Sequence, residues 1–367
     1  MPSAALMFVR TVVVRDWRFL SVTLMSCAVA AIVAMFQYSV YTSFVRAAGV
    51  VPGVLGGNFW VSAASVECFD FPTPFNEDYG PTLTRYVPNA HFRRVVFGFA
   101  TWRSPLGKRG NVAVVGVDGT NLPDDGFIAD RSDLQRLDLS DSTNASLQMA
   151  SISDSTVHLD HTVTNLTTFL GAPYVVVSFE RGRELLHLDP NSTSFLIGDT
   201  GGMPSNFEHL RAAAHAAFPE VELIAAHDFQ SSSAHYWERK TGAGIAILLA
   251  AVLAGLLMAI LQTNGVLRFI QRYHQDLVSL LGHGADRRDV TLIVSGIAAL
   301  VALVTMVSAL LITPVVVAVF RPLLPWIAFS LYDALIPISG IVISLAIALF
   351  VSRRAILTFA PDVVFRS

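Results

Sequence analysis

Charge is what this chain lacks most tellingly. Asp, Glu, Lys and Arg make up 14% of its 367 residues. None of them falls in the apolar runs 20–40, 243–261 and 292–320, and a fourth run, 326–351, holds Asp333 alone. A soluble helix of such length carries a charged stripe on its wet face, so the absence excludes an ordinary globular core. Each run reaches the ~20 residues that a bilayer's hydrocarbon needs as helix. The expected spans are 19–44, 241–267, 290–320 and 326–351.

Cysteine is nearly absent too. Cys27 lies inside the first run and Cys68 beyond it, too far apart across a membrane to pair, which excludes an intrachain disulfide. No G-x-x-x-x-G-K-[ST] occurs, so the chain has no phosphate-cradling loop of its own, and no G-x-S-x-G nucleophile elbow occurs either. Catalytic, cofactor-binding and metal residues are therefore expected to be none. The densest metal-ligand types are His158, Asp160 and His161. Strand alternation would put only His158 and Asp160 on one face, so a solvated polar segment is the reading preferred.

What is present is a polar block, residues 46–240, with one apolar run before it and three after. The composition is 53% hydrophobic with a mean hydropathy of +0.54, and the net charge of −3 conceals a division. Residues 46–240 hold 14 basic and 22 acidic residues, net −8, which argues against nucleic acid as a partner of the block.

Arginine sets the orientation. Arg10, Arg15, Arg18, Arg268, Arg272, Arg287, Arg288, Arg353, Arg354 and Arg366 flank the runs on one side; Arg46, Arg239, Lys240 and Arg321 flank them on the other. The positive-inside rule then puts both termini in the cytoplasm and the block outside. Trp17, Tyr38, Tyr41, Tyr236, Trp237 and Trp326 fall near span ends, where amphipathic rings favour the interface. The first run is too long for a signal-peptide core and no small-residue cleavage site follows it, so it is expected to stay as an anchor. Before it, within segment 1–18, residues 6–17 mix Phe8, Val9, Val13 and Trp17 with Arg10 and Arg15, a pattern for a helix lying along the inner interface.

Small residues recur at helical spacing in every span: Ser26, Ala30 and Ala34; Ala246, Ala250 and Ala254; Ala298 and Ala302; Gly340, Ser344 and Ala348. Such faces permit close helix contact, within a chain or between two copies. Asp333 stands near the outer end of its span, within reach of headgroups, and a transport role for it is the lesser reading.

The outer block, 45–240, reads as α+β. Strands are expected at 58–63, 95–102, 112–117, 174–179, 194–197 and 221–226. A helix is expected after a Ser205/Glu208 capping box, with Phe207, Leu210, Ala214 and Ala217 on one face and Pro219 as its stop. Both ends of the block then build one membrane-proximal subdomain, about 45–118 plus 192–235, and about 119–191 form a distal insertion. The polar run 140–160 is expected to be its most mobile part. Sequons at Asn144, Asn165 and Asn191 matter only in a cell that glycosylates there.

The loop 268–289 carries the most informative short pattern. In LRFIQRYHQDLVSLL (267–281), Phe269, Tyr273, Leu277 and Leu280 share one helical face. Gly282 and Gly284 end that helix, and Asp286 to Asp289 start the next. The stripe has to bury against lipid headgroups or a partner protein, and its sparse basic charge favours the partner.

LLGHGADRRDV (280–290) and SRRAILTFAPDVVFR (352–366) resemble the segment before the third span and the tail of FtsX/MacB-type permeases of ATP-binding-cassette systems. ATWRSPLGKRGNVAVVGVD (100–118) is similar to the DevC-like branch of that family. Asp286 stands where the family usually has Ser, and Val351 and Ser352 where it usually has proline. The resemblance implies a transport subunit without ATPase activity of its own, in a bacterial inner membrane. It implies a separate cytoplasmic ABC ATPase docked on Phe269, Tyr273, Leu277, Leu280, Leu281, Arg287 and Arg288, and a second permease copy or paralogue. A membrane-fusion adaptor and a lipid, glycolipid or other hydrophobic substrate are further expectations, with ATP-driven motion passed to the outer domain. The rival reading, a receptor signalling through its cytoplasmic loop, would not need three spans after its domain. A membrane-anchored hydrolase lacks a recognisable site.

Overall fold

The computed structural model describes residues 11, 15–87, 89–104, 107–139, 146–150, 155–169 and 171–357. It divides into two compact units, Met1–Thr42 with Ile245–Ser367, and Ser43–Gly244. The interfacial helix expected over 6–17 falls mostly outside the described residues, as do the tail from 358 onward and parts of the run 140–160.

Four helices are long and apolar enough to cross a membrane: Trp17–Ala48, Ala243–Arg272, Arg287–Phe320 and Leu331–Leu357. The fourth begins at Leu331 rather than at Trp326, because Pro322 and Pro325, which lack a backbone N–H, sit in a turn-rich stretch without regular helix. Within the helical unit Ala30, Ala34, Ala298, Ala302, Ser344 and Ala348 are buried while Ser26 and Ala246 are exposed, so only part of the small-residue pattern serves close packing inside the chain. Leu311, Val315 and Leu335 point outward, as a lipid-facing surface requires. Ser344 donates to the Gln262 Oε1 at 2.6 Å in a buried polar contact between the fourth and second of these helices.

The other unit is a mixed α/β domain. Its strands are β1 (Phe59–Ala63), β2 (Phe75–Asn76), β3 (His91–Arg103), β4 (Arg109–Val117), β5 (Gly126–Asp130), β6 (Ser146–Ala150), β7 (Ser155–Val163), β8 (Tyr174–Ser178), β9 (Ser192–Thr193), β10 (Phe195–Asp199) and β11 (Val221–Ala225). The large sheet has the order β11-β1-β10-β3-β4-β8-β5-β7-β6, and β3 also pairs with β6. That last pairing closes β3, β4, β8, β5, β7 and β6 into a ring.

One long strand joins the two parts. The first half of β3 pairs with β10, Val95 opposite Phe195; its last three residues pair with β6, Trp102 opposite Met149. The ring encloses Trp102, Val112, Phe127, Leu147, Val157 and Val177. The open part is covered on both faces. Phe59 and Val61 of β1 pack with Phe207 and Ala214 of the helix Phe207–Ala217, while Trp60, pointing the opposite way, meets Phe69, Phe195 and Phe229 with ring centroids 5.9, 5.7 and 5.2 Å away. The helix starts at an Asn206 N-cap with no side-chain capping bond, so the Ser205/Glu208 box expected from sequence is not the device that begins it.

β5, β6 and β7 lie in the segment where no strand was expected. Their signal is the alternation Leu147 and Met149 inward against Gln148 outward, diluted by polar residues on the wet face. A bulge opposite Phe127 and Ile128 leaves Asp160 unpaired in the ladder. His158 is exposed by ordinary alternation and the bulge leaves Asp160 and His161 exposed after it, and no group of metal-ligand side chains able to hold an ion occurs among the described residues.

Candidate coupling site

The second apolar helix does not run on smoothly into the loop. It ends at Arg272, Tyr273 takes φ −100° and ψ 18°, and a separate helix follows at His274–Gly282. Asp16 holds the break. Arg272 donates from Nε and Nη2 to its carboxylate, each at 3.2 Å, and the Tyr273 hydroxyl donates to the same group. The Arg272 guanidinium also lies 5.1 Å from the centre of the Phe19 ring. The Arg272 hydrogen bond, followed by that of Tyr273, lowers the Asp16 carboxyl below the usual carboxylate range. Burial, then the Asp16 hydrogen bond, pushes the Tyr273 hydroxyl up to about 12. The sequence carried one hint of this junction, an isolated acid within a basic N-terminal segment.

The far end of the short helix closes on glycine. Gly284 adopts φ 92°, the left-handed conformation that favours glycine, and its N–H donates to Leu281 O at 3.1 Å while Ala285 N–H reaches Leu280 O at 3.1 Å. Asp286 then caps the helix Arg287–Phe320, with its N–H donating to the Asp289 carboxylate at 3.1 Å. Ser and Asp are both good N-caps, which explains physically why Asp286 can stand where Ser is usual in the family that the sequence resembles.

The seven residues expected to meet a partner divide by exposure. Phe269 is 1% and Leu277 0% exposed, in one cluster with Cys27, Val290, Ile293 and Ile297. Tyr273, Leu280 and Leu281 are half-buried against the same cluster, and Arg287 and Arg288 are exposed. The stripe therefore has a third place to bury besides headgroups and a partner, the chain's own helical core. What remains for a partner is the opposite face, Gln275, Asp276 and His283 with Arg287 and Arg288. Beside it lies a cleft of about 440 Å³ between Arg15, Tyr273, Asp276, Ser279, Leu280 and His283, in which Leu280 supplies apolar surface among polar groups.

No family model matches the chain, and no curated protein does. Among solved structures, the periplasmic region of MacB from Actinobacillus actinomycetemcomitans aligns at 6% identity with a TM-score of 0.37, over 50% of this chain and 96% of that one. The extracellular domain of the noncanonic ABC-type transporter YknZ from Gram-positive bacteria aligns at 10% identity with a TM-score of 0.33, over 46% of this chain and 98% of its own. At these identities no residue role passes from either protein to this chain.

Proposed function

We propose that this chain is the permease subunit of an ATP-binding-cassette system of the FtsX/MacB type. Both termini and the loop helix His274–Gly282 face the cytoplasm, and the mixed α/β domain faces outward. A separate ATPase seats on the loop helix, and a second copy or a paralogue completes a dimer. The observation that carries the reading is the loop helix itself. It is fixed at one end by the Asp16–Arg272–Tyr273 cluster and at the other by Gly284 and the Asp286 cap. It is tied to the helical core through Leu277 and Val278 and keeps a polar face outward. A bare connector needs only a few residues and no such anchorage.

The chemistry then runs in one direction. ATP binding draws the ATPases together, the loop helix moves as a unit because its inward face is packed, and the first and second apolar helices carry that motion to the outer domain. Their charge-free interiors suit force transmission better than passage of ions or polar solutes, which requires polar lining. Export of a lipid, glycolipid or other hydrophobic substrate with a membrane-fusion adaptor, as in the DevC-like branch, is the finer form of the proposal.

Co-purification with a candidate ABC ATPase from the same cell tests it. Asp276→Arg and Arg288→Glu, both on the exposed face, should abolish co-purification and ATP-driven function while membrane insertion is unchanged. Wild-type binding by both variants would remove the loop as the coupling site.

A further inference from the structure

A second polar site lies at the turn end of the β3–β4 hairpin. Arg103 and Arg109 stand directly opposite each other in the ladder and both are exposed; like charges so placed destabilise a strand pair. Acids outnumber bases 22 to 14 over residues 46–240, yet neither arginine has an acidic partner in the ion pairs of the described residues. The nearby Asp138 carboxylate is taken by the Ser104 hydroxyl at 2.6 Å. Lys108 adds a third exposed cation to the same turn.

The arginines flank a cleft of about 570 Å³ that Trp102, Gly110, Asn111 and Gln148 also line. That volume lies within the range of small-molecule sites, roughly 300–1,000 Å³. Gln148 sits opposite Arg103 on β6, so three strands contribute. Trp102 is 3% exposed and its indole N–H has no acceptor among the described residues, a buried donor of the kind that normally finds one. A Cβ at Gly110 would lie 2.9 Å from that nitrogen, so the glycine keeps the space beside the donor free of side chain.

We propose that this cleft binds a small hydroxylated oxyanion, of the acidic-sugar or sugar-phosphate class. Two guanidinium groups take a carboxylate or phosphate through paired N–H donors. The Asn111 and Gln148 amides each offer both a donor and an acceptor, which suits hydroxyl groups.

The test uses the full chain in detergent with ¹⁵N-labelled tryptophan; of its five indole N–H groups, the one whose resonance disappears in Trp102→Phe is that of Trp102. Glucuronate and glucose 1-phosphate are titrated at constant ionic strength, with glucose and inorganic phosphate as controls. The expected result is a saturable shift of the Trp102 resonance alone with at least one of the two sugar anions. Glucose should give none, inorganic phosphate should bind at least about tenfold more weakly, and Arg103→Ala with Arg109→Ala should lose the shift. No saturable response to either sugar anion up to about 10 mM overturns the proposal. So does equal binding of inorganic phosphate, or an undiminished shift in the double variant.

Discussion

The Trp237 indole N–H donates to the Asp70 carboxylate at 2.7 Å across 167 positions of chain. Trp237 belongs to the turn Tyr236–Lys240 that leads toward the second apolar helix, and Asp70 is 5% exposed. Tyr174 reaches the same carboxylate at 3.5 Å and Cys68 at 3.6 Å. A buried acid thus fastens the end of the domain's chain to its beginning.

Burial raises the Asp70 carboxyl above its ordinary range, although its three donors act the other way. An acid with a raised folded pKa contributes stability that is full below its unfolded value, about 3.9, and that is lost as pH rises through the folded value. Asp133 has the same sign, also through burial. Thermal unfolding of the detergent-solubilised chain should therefore shift to lower temperature as pH rises above about 4. Asp70→Asn, which keeps an acceptor for Trp237, should flatten that slope. Asp70→Ala, which orphans the indole N–H, should destabilise the domain by about 1–3 kcal/mol at every pH. An unchanged pH slope in Asp70→Asn would show that Asp70 is not the group responsible.

Leu277 and Asp276 are neighbours with opposite expectations. From sequence alone Leu277→Asp would be a clean lesion of partner binding; with Leu277 buried in the helical core it should instead cost several kcal/mol of stability and reduce the amount of folded protein in the membrane. Asp276→Arg should leave the thermal midpoint within about 2 °C of wild type. Comparing the two midpoints by fluorescence-detected unfolding separates a packing role from a contact role.

How much of this was legible in the sequence depended on which constraint each residue answers. The four apolar helices could be read because charge in hydrocarbon is costly, whereas the ends were not, since the fourth waits for Leu331 beyond two prolines. The stripe of Phe269, Tyr273, Leu277 and Leu280 was visible as a face but not as a destination, because periodicity says that a face buries and not against what. Asp70–Trp237, Arg103–Arg109 and Asp16–Tyr273 were hidden for a different reason. Each pairs residues through a ladder or a packed junction that local spacing does not encode, and β5 to β7 have polar outer faces that mask their alternation.

Topology is checked by single cysteines in the intact cell. Cys68 is buried and its thiol is pushed up to about 12 by burial and by Asp70, so neither it nor the buried Cys27 should give background labelling. Ser205→Cys and Gln275→Cys, both at exposed positions, should behave oppositely toward an impermeant maleimide. Ser205→Cys should label from outside, and Gln275→Cys should label only after the membrane is opened. Labelling of Gln275→Cys in intact cells would place the loop helix outside and end the permease proposal.

The division of the outer domain makes the last prediction. β4 pairs in parallel with β8, Val115 opposite Val176, and β3 is shared between the ring and the sheet that contains β1, β10 and β11. No cut near residue 120 can therefore leave a complete layer on either side. Neither half buries its own apolar face, because Val112 and Val114 need Val175 and Val177 from the other half. Residues 46–235 expressed alone should unfold in one cooperative transition, with or without reductant since both cysteines are free. Fragments 46–120 and 121–235 should each lack near-ultraviolet circular dichroism and should regain it only when mixed or co-expressed. A stable fragment 46–120 would mean that β3 and β4 fold without the ring, and the single shared strand would then be a junction between two independent domains.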